Sequence, residues 1–127
     1  MILGIGIDNI EVERIKKQID GSNRFKEKIF TAKEIEYCES KRNYAESFAA
    51  RFAAKEAFLK ALGTGWSEGL QFKDIEILND EKGRPKVYLR GKAKQIILDN
   101  ELSNIQVSLS HLKEVASAII ILEKINK

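Results

Sequence analysis

The chain is poor in the residues that build covalent or metal cross-links. Its 127 residues include one cysteine and one histidine. Cys38 has no partner for an internal disulfide, which suits a reducing cytosol. One cysteine and one histidine also fall short of a structural zinc site within a protomer. Long apolar runs are missing too. Residues 116–122 form one of the longest, far below the ~20 residues needed to cross a bilayer. Residues 1–10 lack a basic n-region and a cleavage site, so no secretory signal, no membrane partner and a cytoplasmic location are expected. No repeat, low-complexity segment or Pro/Gly/Ser-rich linker divides residues 1–127, which read as a single domain able to bury roughly 65% of its unfolded surface. No Walker-type P-loop occurs. Gly4 and Gly6 lack the third glycine of a dinucleotide fingerprint.

What is present describes a folded soluble protein: 43% hydrophobic and 32% charged residues. The net charge of +3 permits an acidic partner or a phosphate-rich substrate. It does not indicate nucleic acid, because the aromatics sit mostly at core spacing and no basic cluster dominates.

Periodicity predicts an α+β fold, a long helix packed on a small antiparallel sheet. A strand at the N-terminus precedes a helix carrying Val12, Ile15 and Ile19, punctuated by Gly21. A further helical segment follows at 22–30, with Phe25 and Ile29 as an i,i+4 pair. Thr31 and Glu34 spell a capping box, and Asn43 and Glu46 repeat the logic before a long helix that ends at Gly63. On that helix Phe48, Phe52, Leu59 and Leu62 form the core arc. Lys55 falls inside the arc, either snorkelling at its edge or pointing into a subunit interface or toward a phosphate. Beyond it, residues 72–78 alternate as a strand, 79–83 turn, 85–89 return, 91–100 form a helix, and 105–110 and 115–122 are strands.

Two carboxylates stand in unusual settings. Glu56 and Lys60 share a helical arc with Ala49 and Ala53, which leaves room for something to lie there. The alternative is a solvated ion pair at i,i+4. In the first strand Leu3, Ile5 and Ile7 share one face, and Gly4, Gly6 and Asp8 the other. Glycines in a strand mark close approach of a backbone or a ligand. Asp8 ends this bare track, and its alternative is a helix cap or turn residue. Two carboxylates with a lysine nearby suit Mg²⁺ on a polyphosphate, since this ion takes one or two protein carboxylates and keeps waters.

The blocks GIGIDNIEVERI, FTAKEIEYC, ESFAARFAAKEAFLKALGTG, FKDIEILNDEKGRPKV and VSLSH follow in this order. Together they resemble the holo-[acyl-carrier-protein] synthases, small bacterial 4′-phosphopantetheinyl transferases, over essentially the whole chain. The resemblance implies that fold, a homotrimer with sites between protomers, and Mg²⁺ held by Asp8 and Glu56. Its substrates would be coenzyme A and an apo acyl carrier protein. Lys60 matches the phosphate-contacting lysine, and Glu56, or a water on the metal, the acceptor of the serine proton. Arg51, Gly63, Gly65 and His111 match the coenzyme A pocket, with His111 near the 3′-phosphate. As a lone histidine His111 could equally be structural, and Gly63 and Gly65 could simply end the helix. Arg51 lies about 140° round the helix from Glu56, so only an elongated ligand or a second subunit could engage both.

Arg14, Arg24, Phe25 and Lys28 match the carrier-docking surface, or else form a solvated helical face. Docking there should weaken with salt. Two positions depart from the family pattern: Asn9 follows the aspartate where apolar residues are common, and Leu112 follows the histidine in place of Ser or Thr. Two rival readings are a small nucleic-acid-binding domain and a catalytically dead oligomeric binding module. Asp8 and Glu56 argue against the first, because they would repel a phosphate backbone.

Overall fold

Strand β1 (Ile2–Glu11) lies against helix α4 (Tyr44–Leu62) with almost nothing between the two backbones. A Cβ on Gly4 would overlap the carbonyl oxygen of Ala61, and one on Gly6 that of Ala57. The glycine track therefore admits a helix and not a ligand. Ala49, Ala53 and Ala57 are fully buried, so the room expected beside Glu56 and Lys60 is filled by the protein's own core.

The structure is a computed structural model that describes residues 1–63 and 69–125. Between β1 and α4 come α1 (Val12–Gly21), α2 (Asn23–Ile29) and α3 (Ala32–Glu39). After α4 follow a 3₁₀ turn (Phe72–Asp74), β2 (Ile75–Asn79), β3 (Pro85–Leu89), α5 (Gly91–Asp99), β4 (Asn104–His111) and β5 (Val115–Glu123). The strands form two antiparallel sheets, one ordered β1-β5-β4 and one the hairpin β2-β3. The expected α+β architecture, a long helix on a small antiparallel sheet, is what the chain adopts.

Local chemistry explains some element ends. Thr31 and Glu34 form the expected capping box at α3. Gly63 ends α4 in the left-handed region at φ 77°, a conformation that costs glycine little. The second capping box does not form, since the Asn43 side chain makes no cap bond. The strand expected from residue 72 begins at Ile75, because 72–74 wind into the 3₁₀ turn.

Helix α4 runs through the centre and is buried on nearly all sides, so its core is wider than the single arc read from the sequence. Phe48 and Phe58 are fully buried, as are Ala116 and Ile120 of β5. Lys55 is fully buried and pairs with Glu34 at 2.9 Å, so it neither snorkels nor reaches an interface or a phosphate. Burial pushes its ammonium below the ordinary lysine value, against the pull of Glu34. On the outer face of the three-stranded sheet, Leu3, Ile5 and Ile7 stay 48%, 57% and 59% exposed. That is an uncovered apolar stripe.

Candidate active site

The face of β1 that carries Gly4 and Gly6 points at α4, and Asp8 is the next residue on that face. Lys60 Nζ lies 2.9 Å from Asp8 Oδ1 and donates to the Ile7 carbonyl at 3.1 Å. Glu56 sits half-buried one turn before Lys60. Residues far apart in sequence thus meet where β1 crosses the last turns of α4. Asp8 is in mid-strand, paired opposite Ala118, and caps nothing; the residue before α1 is Glu11. Asn9 is accommodated because Ser117 Oγ donates to Asn9 Oδ1 at 2.6 Å.

The donor set decides which cation fits. Among the described residues no group of three or more His, Cys, Asp or Glu is placed to hold a metal. Asp8 and Glu56 offer carboxylate oxygens alone. This suits a hard cation such as Mg²⁺, which completes its shell with waters and substrate oxygens, and it does not suit a protein-caged metal.

A second region lies on another side of α4. A groove of about 490 Å³ runs between the β2–β3 turn and β4, and Arg51, Arg84, Ser108 and His111 line it. The structure therefore brings Arg51 and His111 into one groove. Glu56 and Lys60 do not line it. Arg51 is only 3% exposed. It donates to Ile77 O at 3.2 Å and to Asn79 Oδ1 at 2.5 Å, and it stacks on Tyr37 at 4.4 Å. His111 Nδ1 lies 2.8 Å from Glu46 Oε1. Glu46, read from the sequence as a cap, instead holds the imidazole.

The family model described as the 4′-phosphopantetheinyl transferase superfamily matches residues 4–119. The chain belongs to that superfamily. Within it, the holo-[acyl-carrier-protein] synthase of Geobacter metallireducens is 46% identical over 126 residues, covering 98% of this chain and 100% of that one. The synthase of Thermoanaerobacter sp. is 51% identical over 116 residues, covering 91% and 83%. Among solved structures, a holo-(acyl-carrier-protein) synthase from Bacillus anthracis in complex with CoA (3′,5′-ADP) superposes with TM-score 0.81 at 40% identity, covering 98% of each chain. The synthase from Neisseria meningitidis does so with TM-score 0.89 at 30% identity, covering 98% and 100%.

As a phosphopantetheinyl transferase, the chain presents its remaining candidate residues as follows. Gly63 is the left-handed cap of α4, and Gly65 lies outside the described residues. Arg14 of α1 and Arg24 and Lys28 of α2 are exposed. Phe25 is half-buried and stacks on Phe52, ring centroids 6.4 Å apart. Leu112 is 74% exposed. Sequence reasoning missed Arg84 and Glu46. Arg84 was visible as the one arginine in the turn before Pro85. Nothing local marked Glu46, because its partner is 65 residues away.

Proposed function

We propose that the chain transfers the 4′-phosphopantetheine group of coenzyme A to a serine of an apo acyl carrier protein. The meeting of Asp8 and Lys60, with Glu56 one turn away, carries this reading. The serine oxygen bonds to the β-phosphorus, and the bond from that phosphorus to the oxygen shared with the α-phosphate breaks. Adenosine 3′,5′-bisphosphate leaves with the electron pair, and the serine proton passes to Glu56 or to water. Asp8 and Glu56 would hold Mg²⁺, which when bound neutralises charge on the diphosphate. Lys60 has three N–H donors, of which Asp8 and Ile7 take two, so a third can meet a phosphate oxygen.

The groove at Arg51, Arg84 and His111 suits the anionic nucleotide end of coenzyme A. It is separate from Lys60, so the ligand is elongated or the two regions are completed by different subunits. The apolar stripe of Leu3, Ile5 and Ile7 supports the second case and the homotrimer that the family resemblance implies. Arg14, Arg24 and Lys28 would steer an acidic carrier, with Phe25 as an apolar contact. The chain would work in the cytoplasm, on a carrier that serves fatty-acid or polyketide synthesis. Among the described residues no helix is long and apolar enough to cross a membrane.

The test is mass spectrometry of apo carrier protein incubated with coenzyme A, Mg²⁺ and the protein. A gain of one phosphopantetheine group, abolished by chelation, is expected. An unmodified carrier under conditions where the protein is folded and trimeric would sink the proposal.

A further inference from the structure

Among the described residues strand β2 has a partner strand on one side only, because its sheet consists of β2 and β3. Its other edge should present unpaired backbone groups. Instead, side chains of two helices take the place of a strand. Lys55 Nζ donates to Ile75 O, Glu34 Oε2 accepts from Ile77 N at 2.9 Å, and Arg51 Nε donates to Ile77 O at 3.2 Å. The spacing is commensurate: residues four apart on a helix are about 6 Å apart along its axis, and residues two apart on a strand about 6.6 Å. Arg51 and Lys55 on α4 therefore match Ile77 and Ile75 on β2.

The clamp is fully bonded. Lys55 Nζ also donates to Glu34 Oε1 at 2.9 Å and to Phe72 O at 3.0 Å, which uses all three of its protons. Glu34 Oε1 accepts from Thr31 N at 2.9 Å. Thr31 Oγ1 donates to Glu76 Oε2 at 2.5 Å, and Arg90 reaches Glu76 Oε1 at 2.8 Å. Glu34 and Lys55 are 0% exposed and Glu76 is 2% exposed.

This places an expensive set of buried charges behind a hairpin that could not hold its own position, since an isolated two-stranded ribbon is marginal in water. That hairpin forms one wall of the groove, through Asn79, Gly83, Arg84 and Pro85, and β4 forms the other. Asn79 extends the clamp into the turn, accepting from Arg51 and donating to Gly83 O at 2.8 Å.

We infer that Glu34 and Lys55 are positioning residues that hold the β2–β3 hairpin at the distance from β4 that the nucleotide end of coenzyme A requires. The inference rests on the coenzyme A reading above. The Glu34→Gln variant keeps the side-chain shape and weakens the clamp. Lys55→Met combined with Glu34→Gln removes both charges together, so neither is left buried alone.

In the folded variants, hydrogen exchange at hairpin amides should speed up about tenfold or more, the scale of losing one or two buried hydrogen bonds, while β1–β5–β4 amides hold their protection. KM for coenzyme A should rise by a similar factor with kcat nearly unchanged, a split that general destabilisation does not produce. Unchanged hairpin exchange overturns the clamp. Faster exchange with an unaltered KM overturns its role in the groove. If the double variant does not fold, the Glu34→Gln result decides on the same two readouts. If the wild type shows no turnover with coenzyme A, the transferase proposal fails, and exchange still decides the clamp.

Discussion

Lys60 Nζ stands 2.9 Å from Asp8 Oδ1, a bond that joins the last turn of α4 to β1. Asp8 is largely shielded while Lys60 keeps 56% of its side-chain surface. The pair therefore has one fixed member and one that can follow a ligand. A surface ion pair of this kind adds little stability, on the order of 0.5 kcal/mol. In the proposed reaction, its position beside Glu56 counts for more than this small stability.

Asp8→Ala and Glu56→Ala should each lower turnover by at least about 10²-fold, the scale of losing charge stabilisation at a diphosphate. Circular dichroism and melting temperature should stay near wild type. Wild-type rates in either variant would remove that residue from the site.

Gly6→Ala should be destabilising out of proportion to its one added methyl. The new Cβ meets backbone atoms of Ala57 and Ala61, which have no rotamer through which to yield. A loss of about 3 kcal/mol in urea unfolding is expected, at the upper end of overpacking costs. A variant as stable as wild type would show that β1 and α4 can part more easily than their contact implies.

Ile7→Lys should leave the protomer folded, because the wild-type side chain is already 59% exposed. It should break the proposed trimer by placing charge on the apolar stripe. Sedimentation velocity would report the smaller species, and turnover should fall with it if the sites lie between subunits. A trimer that survives the charge would place the interface elsewhere.

Cys38 gives a pH-dependent prediction. Burial pushes its thiol from 9.0 up to about 11. Above pH 9 the unfolded chain loses this proton while the folded protein keeps it, so stability falls as pH rises toward 11. The full loss is on the order of 2–3 kcal/mol. Unfolding free energies of wild type and Cys38→Ala should therefore differ less at pH 11 than at pH 8. A difference constant across that range would contradict the shift.

Much of the fold was legible because local pattern and capping chemistry agree with it. Thr31 and Glu34 announced α3, Gly63 announced the end of α4, and the 79–83 turn announced the hairpin. Errors arose where a residue had two uses. Glu46 has the spacing of a cap but bonds His111 across the fold. Residues 72–74 fit a strand pattern but wind up where Lys55 takes the Phe72 carbonyl. The alanines of α4 looked like room for a ligand and are contact surface for β1.

By itself the sequence determined which segments are helix or strand and where several of them stop, because spacing and backbone preference act over a few residues, and its motifs carry the family resemblance. Only the folded chain decided what those residues touch. That Asp8 meets Lys60, that Lys55 serves a strand edge, and that Glu46 holds His111 all depend on how distant segments pack. Burial turns the Lys55 pairing into a requirement, since a charge removed from water must find its partner wherever the backbone delivers one. The more exposed pairs at Asp8 and His111 are set by where packing brings their side chains together.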